Sequence, residues 1–202
     1  MEFIKEFAIF LFEKQALKFG DFTLASGKKS SYYIDLRIVP SFPHQFRKMV
    51  KYLQNQIIDK NNLDNFDSFV SVPTGGLVIA SALAIETVKP LIYVRNKPKE
   101  YGTSKSVEGH ITDEMKVLMI DDVATTGGSV IKAIKLLKEE KIQITDAWVI
   151  INRLEGADKA LEEQGVKLHH VTDIMQITQA LFEEKLVSEQ VLEQVKQQIR
   201  NN

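Results

Sequence analysis

From Phe66 to Ile174 the chain keeps one rhythm: a short apolar run, a polar loop, a stretch with helical spacing, and the cycle again. The apolar runs are "FDSFVSV", "LIYVR", "KVLMI", "ITDAWVIINR" and "KLHHVTDI"; the helical ones are "LVIASALAIETV", "SVIKAIKLLKEEK" and "GADKALEEQG". Strands buried on both faces read as near-continuous apolar runs, and parallel neighbours need a crossover between them. The pattern predicts an α/β fold, a mainly parallel sheet flanked by helices on both faces, with right-handed crossovers. Ligands of such sheets bind beyond the carboxyl ends of the strands. The loops after Val72, Arg95, Ile120 and Ile151 are then expected to share one rim.

The segments before Phe66 suit a small N-terminal hood, built mainly from about residues 1–40. Helical spacing predicts a helix from about Phe3 to Phe19, stopped by Gly20. "DFTLASG" and "SYYIDLR" predict a hairpin across Gly27-Lys28-Lys29-Ser30. "SFPHQFRKMVKYLQNQIIDK" predicts a helix with Pro43 near its start and Met49, Leu53 and Ile57 on one face. The loop Pro73-Thr74-Gly75-Gly76 follows the first apolar run, and two helical stretches finish the chain. With no repeat, linker or low-complexity tract, residues 1–202 read as a single domain.

Composition narrows the functions. A net charge of −1 leaves no overall basic field for nucleic acid or an anionic membrane. No cysteine is present, which removes disulfides and thiolate chemistry. The opening run "MEFIKEFAIFLFEKQALKF" is broken by Glu2, Lys5, Glu6, Glu13 and Lys14. A secretory signal needs an unbroken apolar core, and a membrane span roughly 20 mostly apolar residues. A cytoplasmic protein without membrane or nucleic-acid partners is expected.

The most informative loop lies in "VLMIDDVATTGGSV", Val117–Val130. A strand that runs through a glycine-containing turn into a helix presents free amides and the positive end of the helix dipole, an arrangement that cradles phosphate. No Gly-Lys-Ser/Thr follows, and the three-glycine dinucleotide pattern is absent. Asp121 and Asp122 stand just before the cradle, where carboxylates accept hydrogen bonds from hydroxyls or lean toward a metal ion. An acidic pair before a turn also occurs without function. A ligand with vicinal hydroxyls at one end and a phosphate at the other, such as a ribose 5-phosphate, would use both features.

The whole string resembles the phosphoribosyl pyrophosphate (PRPP) motif of type I phosphoribosyltransferases. "FGDFTLASGKKSSYYIDLR", "YVRNKPKEYGTSKSVEG" and "INRLEGA" resemble the hood, the mobile catalytic loop and the base-binding segment of the orotate phosphoribosyltransferase family, in order along nearly the whole chain. The resemblance implies transfer of phosphoribose from PRPP to orotate, giving orotidine 5′-monophosphate and pyrophosphate in pyrimidine biosynthesis. It implies Asp121 and Asp122 at the ribose hydroxyls, and Val123, Ala124, Thr125, Thr126, Gly127, Gly128 and Ser129 around the 5-phosphate. Arg95, Lys99 and Tyr101 fall at pyrophosphate-contacting positions, with Lys99 catalytic, as Asp121 and Asp122 are. Thr125, Arg153 and Tyr33 fall at the orotate. It further implies Mg²⁺ held mainly through PRPP, and a homodimer whose Lys99 loop is shared across subunits. Gly102 and Gly109 suit a lid around the catalytic loop. The plainer reading of Arg153 is a surface arginine paired with Glu155. One bacterial branch has lysines at the positions of Ala25 and Gly75, so the chain is expected to have fewer fixed cations. The alternatives are a PRPP-binding regulator and a phosphoribosyltransferase for another nucleobase.

Overall fold

The computed structural model describes residues 2–23, 27–95 and 106–201. It begins with helix α1 (Glu2–Glu13) and a hairpin, β1 (Leu17–Thr23) with β2 (Lys29–Ile34). The helix therefore stops well short of Phe19. Gln15 takes a left-handed φ of 57°, and the Ala16 amide closes onto the Leu11 carbonyl at 2.8 Å. Ala16 and Leu17 are buried, as helical spacing suggests, but at the start of a strand. Gly20 lies inside β1 with φ 145°, at a register irregularity between Phe19 and Phe22.

A short 3-10 helix (Leu36–Ser41) leads into α2 (Pro43–Asn61), which starts on its proline and buries Met49, Leu53 and Ile57 together. The cycle of strand and helix follows: β3 (Ser68–Ser71), α3 (Gly75–Thr87), β4 (Leu91–Val94), β5 (Val107–Glu108), β6 (Lys116–Ala124), α4 (Gly128–Glu139), β7 (Gln143–Asn152), α5 (Ala157–Glu162) and β8 (Lys167–Asp173). Helices α6 (Ile174–Glu183) and α7 (Glu189–Arg200) complete it. The six later strands form one sheet in the order β5-β4-β3-β6-β7-β8, parallel throughout except for β4 with β5. Two residues of β5 are too short for any alternation to announce them.

The sheet has a core on each face. Leu118 and Ile120 of β6 join a cluster with α1, α2, α3 and α6, whereas Val117 and Met119 join one with α4. Each such buried aliphatic side chain stabilises the fold by about 1.5–3 kcal/mol. A one-residue slip of β6 would send every one of them to the wrong core, so the register is strongly fixed. The same register fixes which way the two aspartates at its end can point. No helix among the described residues is long and apolar enough to cross a membrane.

Candidate active site

Strand β6 carries the acidic pair further than its apolar run suggests. The sequence places the turn directly after Ile120, but the ladder with β7 continues through Asp121↔Val149, Val123↔Ile151 and Ala124↔Asn152. Backbone pairing therefore fixes both aspartates. Asp121 is 6% exposed, and its Oδ1 accepts the Asp122 amide at 2.9 Å. Asp122 Oδ1 accepts the Val123 amide at 2.9 Å. Burial, and after it the charge of Asp122, pushes the Asp121 carboxyl well above the ordinary carboxylate range.

Gly75 and Gly76 open α3 against this pair, in the first helical turn rather than in a loop. A Cβ at Gly75 would stand 2.0 Å from Asp122 Oδ2 and would have to displace that carboxylate. At Gly76 it would stand 2.8 Å from the Asp121 Cα, which strand pairing holds in place. The missing lysine at Gly75 thus has a steric counterpart: here the acids occupy the space into which a side chain would grow.

Thr125, Thr126 and Gly127 make the turn. Gly127 has φ 76°, and a Cβ there would meet Leu161 Cδ1 at 2.5 Å. Helix α4 then starts without a side-chain cap, and the Ile131 amide bonds back to the Gly127 carbonyl at 2.8 Å. The amides of Gly128, Ser129 and Val130 precede any helical acceptor, at the positive end of the helix dipole. Thr126, Gly128 and Ser129 are exposed, Thr125 is half-buried, and Ala124 is buried beneath them. Beyond β4, Arg95 donates from Nη1 to Glu108 Oε1 at 3.1 Å. Arg95, Ser129 and Lys132 line one cleft of ≈ 630 Å³ with Val72 and Val94. Ser129, at the start of α4, and the arginine after β4 therefore border the same space.

Arg153 leaves β7 with its amide bonded to the Ala124 carbonyl at 2.9 Å, so the exits of β6 and β7 are tied together. It pairs with Glu155, but not at the surface: Arg153 and Glu155 are each 4% exposed. The aromatic partner is Tyr32, whose ring lies 4.4 Å below the guanidinium. Tyr33 is half-buried, pairs with Phe22 at 5.8 Å, and its hydroxyl oxygen accepts from Arg37 Nη2 at 3.3 Å. Residues Ser30, Tyr32, Glu155 and Gln198 join Arg153 in one network that spacing along the chain could not reveal. Gln198 stands 167 residues beyond its hydrogen-bond partner Ser31. Gly109 has φ 122° and packs on Ile92, with a Cβ position 2.8 Å from Ile92 Cγ2. Ala25, Lys97, Lys99, Tyr101, Gly102 and Lys105 lie outside the described residues.

Parallel strands thus end in an acidic pair, a turn of free amides at a helix start and a flanking arginine. A family model for the phosphoribosyl transferase domain matches residues 44–185. The chain is 48% identical over 200 residues to the orotate phosphoribosyltransferase of Cenarchaeum symbiosum, covering 99% of this chain and 100% of that one. It is 39% identical over 202 residues to that of Sulfurisphaera tokodaii, covering 100% and 99%. The crystal structure of orotate phosphoribosyltransferase from Aeropyrum pernix superposes with a TM-score of 0.77 at 34% identity, covering 90% of this chain and 99% of that one. By fold and site the protein is a phosphoribosyltransferase of the α/β type. Within that class, the chain belongs to the orotate phosphoribosyltransferase family.

Proposed function

We infer that the chain transfers the 5-phosphoribosyl group of PRPP to orotate in pyrimidine biosynthesis, and that the rim of the sheet performs it as follows. The observation that carries the reading is the acidic pair and the amide cup on one strand exit, within a chain similar to orotate phosphoribosyltransferases along its full length. Asp121 and Asp122 accept hydrogen bonds from the two ribose hydroxyls. The amides from Thr125 to Ser129, with the hydroxyls of Thr126 and Ser129, hold the 5-phosphate. Held at both ends, the sugar presents its anomeric carbon in one orientation, and orientation alone removes a large part of the barrier of a two-substrate reaction.

Charge does the remaining work. As the bond to pyrophosphate breaks, positive charge grows on the sugar and negative charge on the leaving group. Arg95, with Lys99 and Tyr101, meets the leaving group; electrostatic help of this kind acts where charge develops. Tyr101 acts as a hydrogen-bond donor. Arg153 takes the orotate carboxylate through the side of its guanidinium that Glu155 and Ser30 leave open, with Thr125 beside the base and Tyr33 bordering it. Among the described residues no group of three or more acidic or histidine side chains is placed to hold a metal ion. Two neighbouring carboxylates suit a Mg²⁺ ion that takes most of its ligands from substrate oxygens and water. Held mainly through PRPP, with Asp121 and Asp122 the nearest carboxylates, such an ion would supply positive charge to the pyrophosphate.

We further propose a homodimer, in which Lys99 reaches the neighbouring site. Its support is the outward face of α3, the helix whose first turn packs on the acidic pair: Val78, Ile85 and Val88 are exposed along it.

A spectrophotometric assay with orotate, PRPP and Mg²⁺ tests the activity. Consumption of orotate is expected only when PRPP is present, with pyrophosphate as the second product. No turnover of orotate, with turnover of another nucleobase or PRPP binding alone, would contradict the reading.

A further inference from the structure

Arg153 does not stand free for a ligand. Glu155 Oε1 accepts Arg153 Nε at 3.0 Å, Arg153 Nη2 at 2.9 Å, the Tyr32 hydroxyl at 2.9 Å and Gln198 Nε2 at 2.9 Å. Burial drives the Tyr32 phenol pKa up, so the phenol stays protonated and donates. Arg153 Nη2 also donates to Ser30 Oγ at 3.0 Å. Its Nε–Nη2 edge is thus committed to the protein, while Nη1 makes no hydrogen bond among the described residues. An incoming carboxylate can use that one nitrogen without breaking the network.

Gln198, half-buried on α7, decides how this network is held. Its Oε1 accepts the Ser31 backbone amide at 2.7 Å and the Ser31 hydroxyl at 2.8 Å. A backbone N–H can only donate, so the oxygen end of the amide is assigned, and Nε2 must face Glu155 and, at 3.1 Å, Ser30 Oγ. Apolar burial of Leu192 and Val195 already fastens α7 to the core. The polar reach of Gln198 into a buried ion pair does something else: it keeps Glu155 on one edge of the guanidinium. Without that donor, only the Tyr32 hydroxyl and Arg153 itself hold Glu155 Oε1, and the carboxylate can turn to pair with both terminal nitrogens, another bidentate geometry of arginine and carboxylate. The base would then compete with Glu155 for Nη1.

We propose that Gln198 is a positioning residue of the base site, fixing Glu155 so that Nη1 of Arg153 stays available to the anionic group of the base. The proposal rests on the assignment of Arg153 to the orotate carboxylate.

Steady-state kinetics of Gln198→Met, which keeps the length and drops the hydrogen bonds, test it in the full chain. The KM for orotate should rise about tenfold, while the KM for PRPP and kcat at saturation stay within about twofold. In an Arg153→Met background, Gln198→Met should add no further loss in kcat/KM for orotate. Ser31→Ala, which removes one of the bonds that hold the Gln198 amide, should move the orotate KM the same way by a smaller factor. It carries the test if Gln198→Met fails to fold. An unchanged orotate KM in these variants, an equal loss for both substrates, or an undiminished loss without Arg153 would overturn the role of Gln198. If Arg153→Met itself leaves the orotate KM unchanged, the assignment of Arg153 is wrong, and the proposal falls with it.

Discussion

Asp121 answers two opposing demands. The proposed function wants a carboxylate beside the sugar, whereas the fold buries that carboxylate next to a second one. Its folded-state pKa lies above the unfolded value, because burial and Asp122 both disfavour its charge. Between those two values the folded chain binds more protons than the unfolded one, so stability falls as pH rises through that window. Below both values the carboxyl is neutral in either state and the cost disappears. Asp121→Asn is therefore expected to stabilise the ligand-free chain at pH 7 by about 1–2 kcal/mol, a gain typical of relieving a strained functional site. The gain should shrink as pH falls toward the ordinary carboxylate range, and transfer activity should be largely lost. Thermal unfolding at several pH values checks it; a variant less stable than the parent at pH 7 would show that Asp121 carries no such cost. The pair itself was legible in the sequence, because two acids before Ala-Thr-Thr-Gly-Gly-Ser make a dense local pattern. Their burial was not, because it depends on Gly75 and Gly76, which arrive from another element.

Among the elements, α3 is apolar on its outward face as well as its inward one. Ile79 and Leu83 face the core, but Val78 is 40% exposed, Ile85 80% and Val88 92%. Scattered exposed aliphatics are ordinary; an aligned set on one helix face asks for a covering surface. We propose a second copy of the chain as that surface, on the helix whose first turn packs against the acidic pair. Ile85→Asp is expected to shift a dimer toward monomer, with the monomer still folded because Ile85 takes no part in the core. Sedimentation at several concentrations reads this directly; a parent chain that is monomeric throughout would remove the dimer proposal. Local signals predicted most elements because strands and helices here bury whole faces. They failed where one residue changes direction, as at Gln15, or where pairing alone defines the element, as for β5 and for β6 beyond Ile120.

Over the whole molecule, the rim gathers side chains from Ser30 to Gln198 although the chain is continuous between them. That the sheet is mainly parallel and helix-flanked was readable from alternation, and the glycine turn after the acidic pair from a single string. Around Arg153 the pairing with Glu155 was readable from its nearness in the chain, whereas Tyr32 and Gln198 meet the pair through tertiary packing, to which spacing along the chain is blind. The claim that binds these scales is that one pocket holds the activated pentose at both ends, by the acidic pair and by the amide cup. Crystals of the chain grown with PRPP and Mg²⁺ test it most directly. The ribose hydroxyls should lie within hydrogen-bonding distance of Asp121 and Asp122, with the 5-phosphate on the amides of Thr125 to Ser129. A sugar phosphate bound elsewhere, with both aspartates untouched, would contradict it.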